Sequence, residues 1–293
     1  MSIRIGLDRS IFHGRDSTRL LNSQLISFCR SGQYSVYHSI VLVEETLKLL
    51  EKPERRTDVE KEIKFLVDVG NGRWFRDPWD IWSGELEGKS KHDYLFLSRR
   101  EQIKYGRILA DSRNLTGKVL KNSLEEATRS KIGEGKDAMK KAFVELRRTP
   151  SDTFRCNLRL RPPSEAFELY SSSFIDDVGA EVIRWMTVQE LLTMKKIDAT
   201  SVVDNWKTNK ARFPYFTFFV KAYTYAMYYA DVEQNLPLDH NTLMDVYFLG
   251  TARDLDIIVS NERKFMKSAF NALYGETKRY ISLDAFLSRL SSN

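Results

Sequence analysis

The sequence predicts an α/β fold: a parallel sheet flanked by helices, assembled from the two ends of the chain around a large, mainly helical insertion. Three observations predict it. Residues 1–50 alternate between short apolar runs and stretches of helical spacing, residues 240–293 do the same, and residues 51–239 between them are helical in pattern for most of their length. Strand–helix alternation is the mark of a parallel sheet, because parallel neighbours need a crossover to bring the chain back.

Taken in order, Ile3 to Leu7 is an apolar run that stops at Asp8 and reads as a buried strand. Leu20 to Cys29 has helical spacing. Ser35 to Ser39 reads as a second strand, and Ile40 to Leu50 as a helix with Ser39 as its N-cap. Glu51 to Arg56 is a charged break. Val59 to Val69, Glu101 to Leu109, Leu120 to Arg129, Asp137 to Arg148 and Glu181 to Met194 then read as helices. The Trp-rich stretch Trp74 to Trp82 interrupts them, and Arg161-Pro162-Pro163-Ser164 punctuates them. Phe213 to Ala230 is strongly aromatic. It reads as a helix buried on most sides, since aromatic rings dominate cores, with a base-stacking platform as the alternative. The end of the chain returns to alternation: helix Leu243 to Ala252, strand Asp256 to Ser260, helix Glu262 to Leu273, strand Arg279 to Ser282, helix Leu283 to Leu290. The two ends are expected to share one sheet.

Composition bounds the function classes. The 293 residues are 42% hydrophobic and 29% charged, enough for a substantial core and unlike a disordered chain. No apolar run is long enough to span a bilayer, so no membrane partner is expected. The N-terminus reaches Asp8 before any signal-peptide core could form. Cys29 and Cys156 stand alone and suit neither zinc nor a disulfide framework, which points to a reducing cytoplasm. The net charge of +6 is uneven: residues 89–148 hold 16 Lys and Arg against 8 Asp and Glu. A basic block beside an acidic remainder suits a polyanion such as nucleic acid; a solvated helical face is the competing reading. Gly70-Asn71-Gly72 and Gly133-Glu134-Gly135-Lys136 lack the context of a phosphate loop and read as turns. His13, His38, His92 and His240 form no ligand-spaced pair, although His13 lies close to Asp8.

Four acids stand at the edges of these elements: Asp8 ending the first strand, Glu45 in the helix after the second, Asp245 near the start of a helix, and Glu262 after the strand that closes at Ser260. Ligands of open α/β sheets bind outside the carboxyl ends of the strands. Carboxylates gathered there repel one another unless a hard cation lies between them, and Mg²⁺ or Mn²⁺ takes such oxygen ligands. Each acid taken singly is as well read as a helix cap.

The residues around these acids resemble the PIN domain family of metal-dependent ribonucleases. Ile5-Gly6-Leu7-Asp8-Arg9-Ser10-Ile11-Phe12 is similar to the family's first motif, Ser39-Ile40-Val41-Leu42-Val43-Glu44-Glu45 to its second, Met244-Asp245 through Thr251-Ala252 to its third, and Ile258-Val259-Ser260-Asn261-Glu262-Arg263-Lys264-Phe265 to its fourth. Tyr280 to Leu287 resembles the closing strand and helix. The resemblance covers residues 1–50 and 240–293. It implies a PIN-like fold and a metal-dependent endoribonuclease in which Asp8, Glu45 and Asp245 bind Mg²⁺ or Mn²⁺. Glu44 would be the fallback for Glu45, Glu262 would support a second metal or a metal-bound water, and Ser260 and Asn261 would position the metal shell or the scissile phosphate. It also implies nucleic acid as partner, RNA before DNA, and leaves open a homo-oligomer or a regulatory protein partner. Two departures stand out: Glu262 where the family usually has Asp, and the insertion at 51–239. Both favour the alternative of a PIN-like binding or regulatory module without catalysis.

Overall fold

In a computed structural model of the chain, residues 2–49, 52–70, 73–103, 141, 144, 150–189, 192, 198–234 and 240–292 are described. Four parallel strands form one sheet: β1 Ile3–Leu7, β2 Tyr34–Tyr37, β3 Ile257–Val259 and β4 Arg279–Ile281, in the order β2-β1-β3-β4. The two ends of the chain therefore meet at the centre of the sheet, with Ile5 paired to Val36 on one side and to Ile257 on the other. Ile5, Gly6 and Leu7 are buried in succession, as they must be where helices cover both faces. Gly6 permits a close approach: a Cβ there would lie 2.4 Å from Leu255 Cδ1 and 3.2 Å from Phe248 Cζ.

The helices that cover the sheet begin with α1 Gly14–Leu21 and α2 Leu25–Arg30. The single helix expected over Leu20 to Cys29 is thus two. Ser23 makes the break, its hydroxyl donating to the Leu20 carbonyl at 2.6 Å and accepting from the Leu25 N–H at 3.4 Å. Helix α3, Ile40–Lys48, starts where Ser39 accepts from the Val41 N–H at 3.2 Å. Helix α4, Arg56–Gly70, buries Val59, Ile63, Phe65, Leu66 and Val69, the spacing of one helical stripe, against α1, α2, α3 and β2.

In the middle segment, α5 Pro78–Leu86 occupies the Trp-rich stretch expected to interrupt the helices. Pro78 sits in its first turn, and Asp77 accepts from the Trp79 N–H at 2.8 Å. After α6 Lys91–Leu95 and α7 Asp152–Arg159 comes α8 Pro163–Val188, a helix of 26 residues that starts well before Glu181 because Pro163 begins it. It is followed by α9 Ala199–Thr208 and α10 Pro214–Tyr228, which runs on into a π-helical turn, Tyr229–Gln234. The aromatic segment is core: Phe216, Phe219, Tyr223 and Met227 are buried, and Trp82 stacks on Phe219 at 3.5 Å. Helix α10 lies against α5, α8, α11 His240–Thr251 and α12 Phe265–Tyr274, so the same hydrophobic core continues from the middle segment to the layer that covers the sheet. Helix α13, Leu283–Ser291, closes the chain. The helices expected over Leu120 to Arg129 and over most of Glu101 to Leu109 and Asp137 to Arg148 lie outside the described residues, as does much of the basic block. Among the described residues no helix is long and apolar enough to cross a membrane.

Candidate carboxylate site

Asp8 ends β1 and Ser260 ends β3, and the pairing of those strands brings the two side by side at the carboxyl edge of the sheet. Asp8 Oδ2 accepts from the Ser260 hydroxyl at 2.7 Å, from the Ser10 N–H at 3.2 Å and from the Ser10 hydroxyl. Its Oδ1 accepts from no described residue. Asp8 thereby caps a single 3₁₀ turn, Arg9–Ile11, which carries Ser10 back toward β3; the Ser10 hydroxyl accepts from the Asn261 N–H at 2.9 Å.

Asn261 and Glu262 are already engaged. The Asn261 side-chain amide donates to Asp16 at 2.8 Å, and its carbonyl oxygen accepts from the Leu283 N–H at 3.1 Å, tying the turn after β3 to α1 and α13. Glu262 accepts from the backbone N–H of Lys264 at 2.8 Å through Oε1 and of Met266 at 2.7 Å through Oε2. Both carboxylate oxygens are thus occupied in capping α12, the ordinary place for an acid beside the positive end of a helix.

Glu45 on α3 and Asp245 on α11 are half-buried, and the two helices lie against one another. The 3₁₀ turn after Asp8 also lies against α3. Tyr280, on β4, reports on the acids together. Its hydroxyl donates to the Glu262 carbonyl at 2.6 Å, and its pKa is raised, first by burial and then by the negative charges of Asp8, Glu262 and Asp245, against a lowering contribution from Ser260. Among the described residues, however, no three His, Cys, Asp or Glu side chains stand close enough together to hold a metal ion. The expected ligands Asp8, Glu45 and Asp245 occupy neighbouring elements without forming a closed ligand set.

Ser10 and Tyr280 entered the sequence reading only as parts of the first motif and the closing strand, without a role at the site, and Asp16 and Glu62 had no place in it. Glu62 is fully buried on α4, paired with Arg9 Nη1 at 2.8 Å and accepting from the Ser17 hydroxyl at 2.9 Å. His13 lies on this side of the molecule; burial first, then the charges of Arg9 and Arg55, lower its pKa, against Glu62 and Asp8. Cys29 and Cys156 are both free thiols, and burial pushes the Cys29 thiol up to about 11.

Compared with family models, with curated proteins and with solved structures, the chain matches none.

Proposed function

We propose that this protein is a metal-dependent nuclease of PIN-like type, an endoribonuclease in which Asp8, Glu45 and Asp245 hold Mg²⁺ or Mn²⁺. The observation that carries the reading is the pairing of β1 with β3, which sets Asp8 against Ser260 at the carboxyl edge of a parallel sheet, where ligands of such folds bind. The donor chemistry suits a hard cation: carboxylate oxygens, with Asp8 Oδ1 free of any described donor. A divalent ion in such a setting activates water and neutralises charge developing on a phosphodiester.

The chain's own residues divide the remaining work. Ser10 and Ser260 fix Asp8 by its Oδ2 and aim its Oδ1. Asn261 positions the turn that carries Ser260 and does not itself reach a substrate, because Asp16 and the Leu283 N–H engage its amide. Glu262 acts by its charge and by holding α12 in place. RNA is the favoured substrate on the resemblance to the PIN family, and the basic block at 89–148 would draw in its backbone.

The test pairs melting curves with and without Mn²⁺ with cleavage of single-stranded and hairpin RNA. Mn²⁺ should raise the melting temperature, since an ion that binds the folded state alone stabilises it. Asp8→Asn should abolish cleavage with the fold intact, because the amide oxygen can still accept from Ser10 and Ser260. Melting insensitive to metal, with no cleavage of either RNA, would leave the second reading: a nucleic-acid-binding or regulatory module without catalysis. Two observations favour that module, namely the capping role of Glu262 and the lack of a closed ligand set among the described residues.

A further inference from the structure

A cleft of about 500 Å³ opens between α1, α2 and α4; none of the proposed metal ligands lines it, and nothing in the reading above uses it. That volume falls within the range of small-molecule sites. Its lining includes two acids, Asp58 and Asp68, and the neutral Ser17, Thr18 and Asn22, beside a basic and an apolar group. Arg55, Lys61 and Lys64 supply positive charge, and Leu21, Ile26 and Phe65 supply an apolar floor continuous with the core.

The basic side is built by helix geometry. Asp58, Lys61, Phe65 and Asp68 recur on α4 at steps of three or four residues, and Lys64 lies beside them, so they form one face toward α1. Two lysines three residues apart repel, yet among the described residues neither Lys61 nor Lys64 has an ion-pair partner. Arg55 is engaged only loosely, 3.7 Å from Asp58 and 3.8 Å from the buried Glu62, and its Nε is buried without an acceptor. Arg9, the other partner of Glu62, has a buried Nη2 in the same condition. Buried donors without acceptors are rare in folded proteins and ask for a missing partner. On the α1 side Gly14 begins the helix with open space around it, and no side chain caps the helix start. Lys61 and Lys64 are thus short of an anion and Arg55 is only loosely held by Asp58 and Glu62, beside an apolar side that offers a surface for a ring.

The geometry points to a nucleoside phosphate as the occupant: its phosphate between Arg55, Lys61 and Lys64, its base on Leu21, Ile26 and Phe65. Asp68, seven residues beyond Lys61 and so about 10 Å along the helix, is placed to accept from the sugar hydroxyls. Free nucleotide and the phosphorylated end of a strand share this chemistry. The site stands on its own lining and does not depend on whether the carboxylates cleave.

Titration calorimetry on the full chain tests it, with adenosine 5′-monophosphate, adenosine, inorganic phosphate and a 5′-phosphorylated tetranucleotide as probes. The monophosphate should bind at least tenfold more tightly than adenosine or phosphate alone. Lys61→Gln with Lys64→Gln, both at exposed positions, should weaken it at least tenfold without altering the melting curve. Asp8→Asn should leave it unchanged, which separates this site from the proposed nuclease. A tetranucleotide that binds more tightly than the monophosphate assigns the cleft to a strand end, and one that binds more weakly assigns it to free nucleotide. No binding of the monophosphate at millimolar concentration, phosphate binding as tightly as the monophosphate, or affinity unaffected by the double lysine change would each overturn the proposal.

Discussion

His38 lies wholly inside the protein, its ring 4.9 Å from that of Trp74 and against Gly70, where a Cβ would come within 2.5 Å of it. Neither ring nitrogen makes a well-formed hydrogen bond, and burial pushes its pKa down to about 4, the Leu66 carbonyl offsetting little of this. Glu85 is its opposite. Buried beneath the start of α10, it accepts from the N–H groups of Tyr215 at 3.1 Å and Phe216 at 2.7 Å, yet burial pushes its pKa up to about 7. The imidazole favours the folded state fully above pH 6.5, and that advantage is lost as pH falls toward 4. The carboxyl favours it fully below pH 4.5, and that advantage is lost as pH rises through 7. Each displacement is worth roughly 3 kcal/mol, so between pH 4.5 and 6.5 the two nearly cancel and these groups leave stability flat. Glu85→Gln should remove one side of the balance, so that urea midpoints of the variant fall steeply from pH 6.5 to 4.5. A variant whose pH profile parallels the wild type would refute the pairing. A second prediction concerns Glu262. Glu262→Gln keeps one acceptor for the start of α12 and loses the other, at about 1 kcal/mol. The loss should be the same with and without Mn²⁺ in thermal melts if capping is its whole role.

At the scale of elements, α8 and α9 meet at Gly179, where a Cβ would sit 2.0 Å from Cη2 of Trp206. The indole is fully buried and held by Thr217 at 3.1 Å, so it has little room to move. Gly179→Ala gains about 1 kcal/mol of helix propensity, but overpacking costs about 1–3 kcal/mol, and contact with three ring atoms puts it at the upper end. A net loss of about 2 kcal/mol is expected in urea unfolding; an alanine variant as stable as the wild type would show that Trp206 can shift. The elements that were legible in the sequence are those whose signals are local. Ser39 caps α3 because its hydroxyl reaches an N–H two residues on, and β1 and β3 each show as an apolar run ending in a polar residue. The break at Ser23 was hidden because Leu20, Leu25, Ile26 and Phe28 keep a helical spacing straight across it. Pro163 read as punctuation, yet proline in a first turn starts a helix. The same division holds at the site. Asp8 and Ser260 could be found because strand ends are visible in sequence. Glu62 and Tyr280 could not, because a buried charge or phenol is defined by partners that arrive from distant segments.

Over the whole molecule, the middle segment is bound into the core and does not hang from it. Helix α10 covers α11 and α12, while α4 covers β2 and α3. A chain in which residues 51–239 are replaced by a short linker would expose Tyr247, which packs on Trp79, Trp82 and Phe219, and Phe265, which packs on Tyr225 and Tyr229, and it should show no cooperative urea transition. A sharp transition with native-like circular dichroism would mean that the two ends hold together without the rest. The sheet order has a further consequence, in the time it takes to make the protein. Strand β1 finds β2 almost at once, but its other neighbour, β3, is synthesised some 250 residues later. At about 5–20 residues per second one edge of β1 stands open for roughly ten to fifty seconds, with unpaired N–H and C=O groups that invite any passing strand. Ribosome-bound chains halted just before Ile257 should therefore be cut rapidly by protease within residues 1–50. Chains released after Ile281 should resist. The residue that ends β1, Asp8, meets Ser260 only after that wait, so the carboxylate site is among the last parts of the protein to come into being.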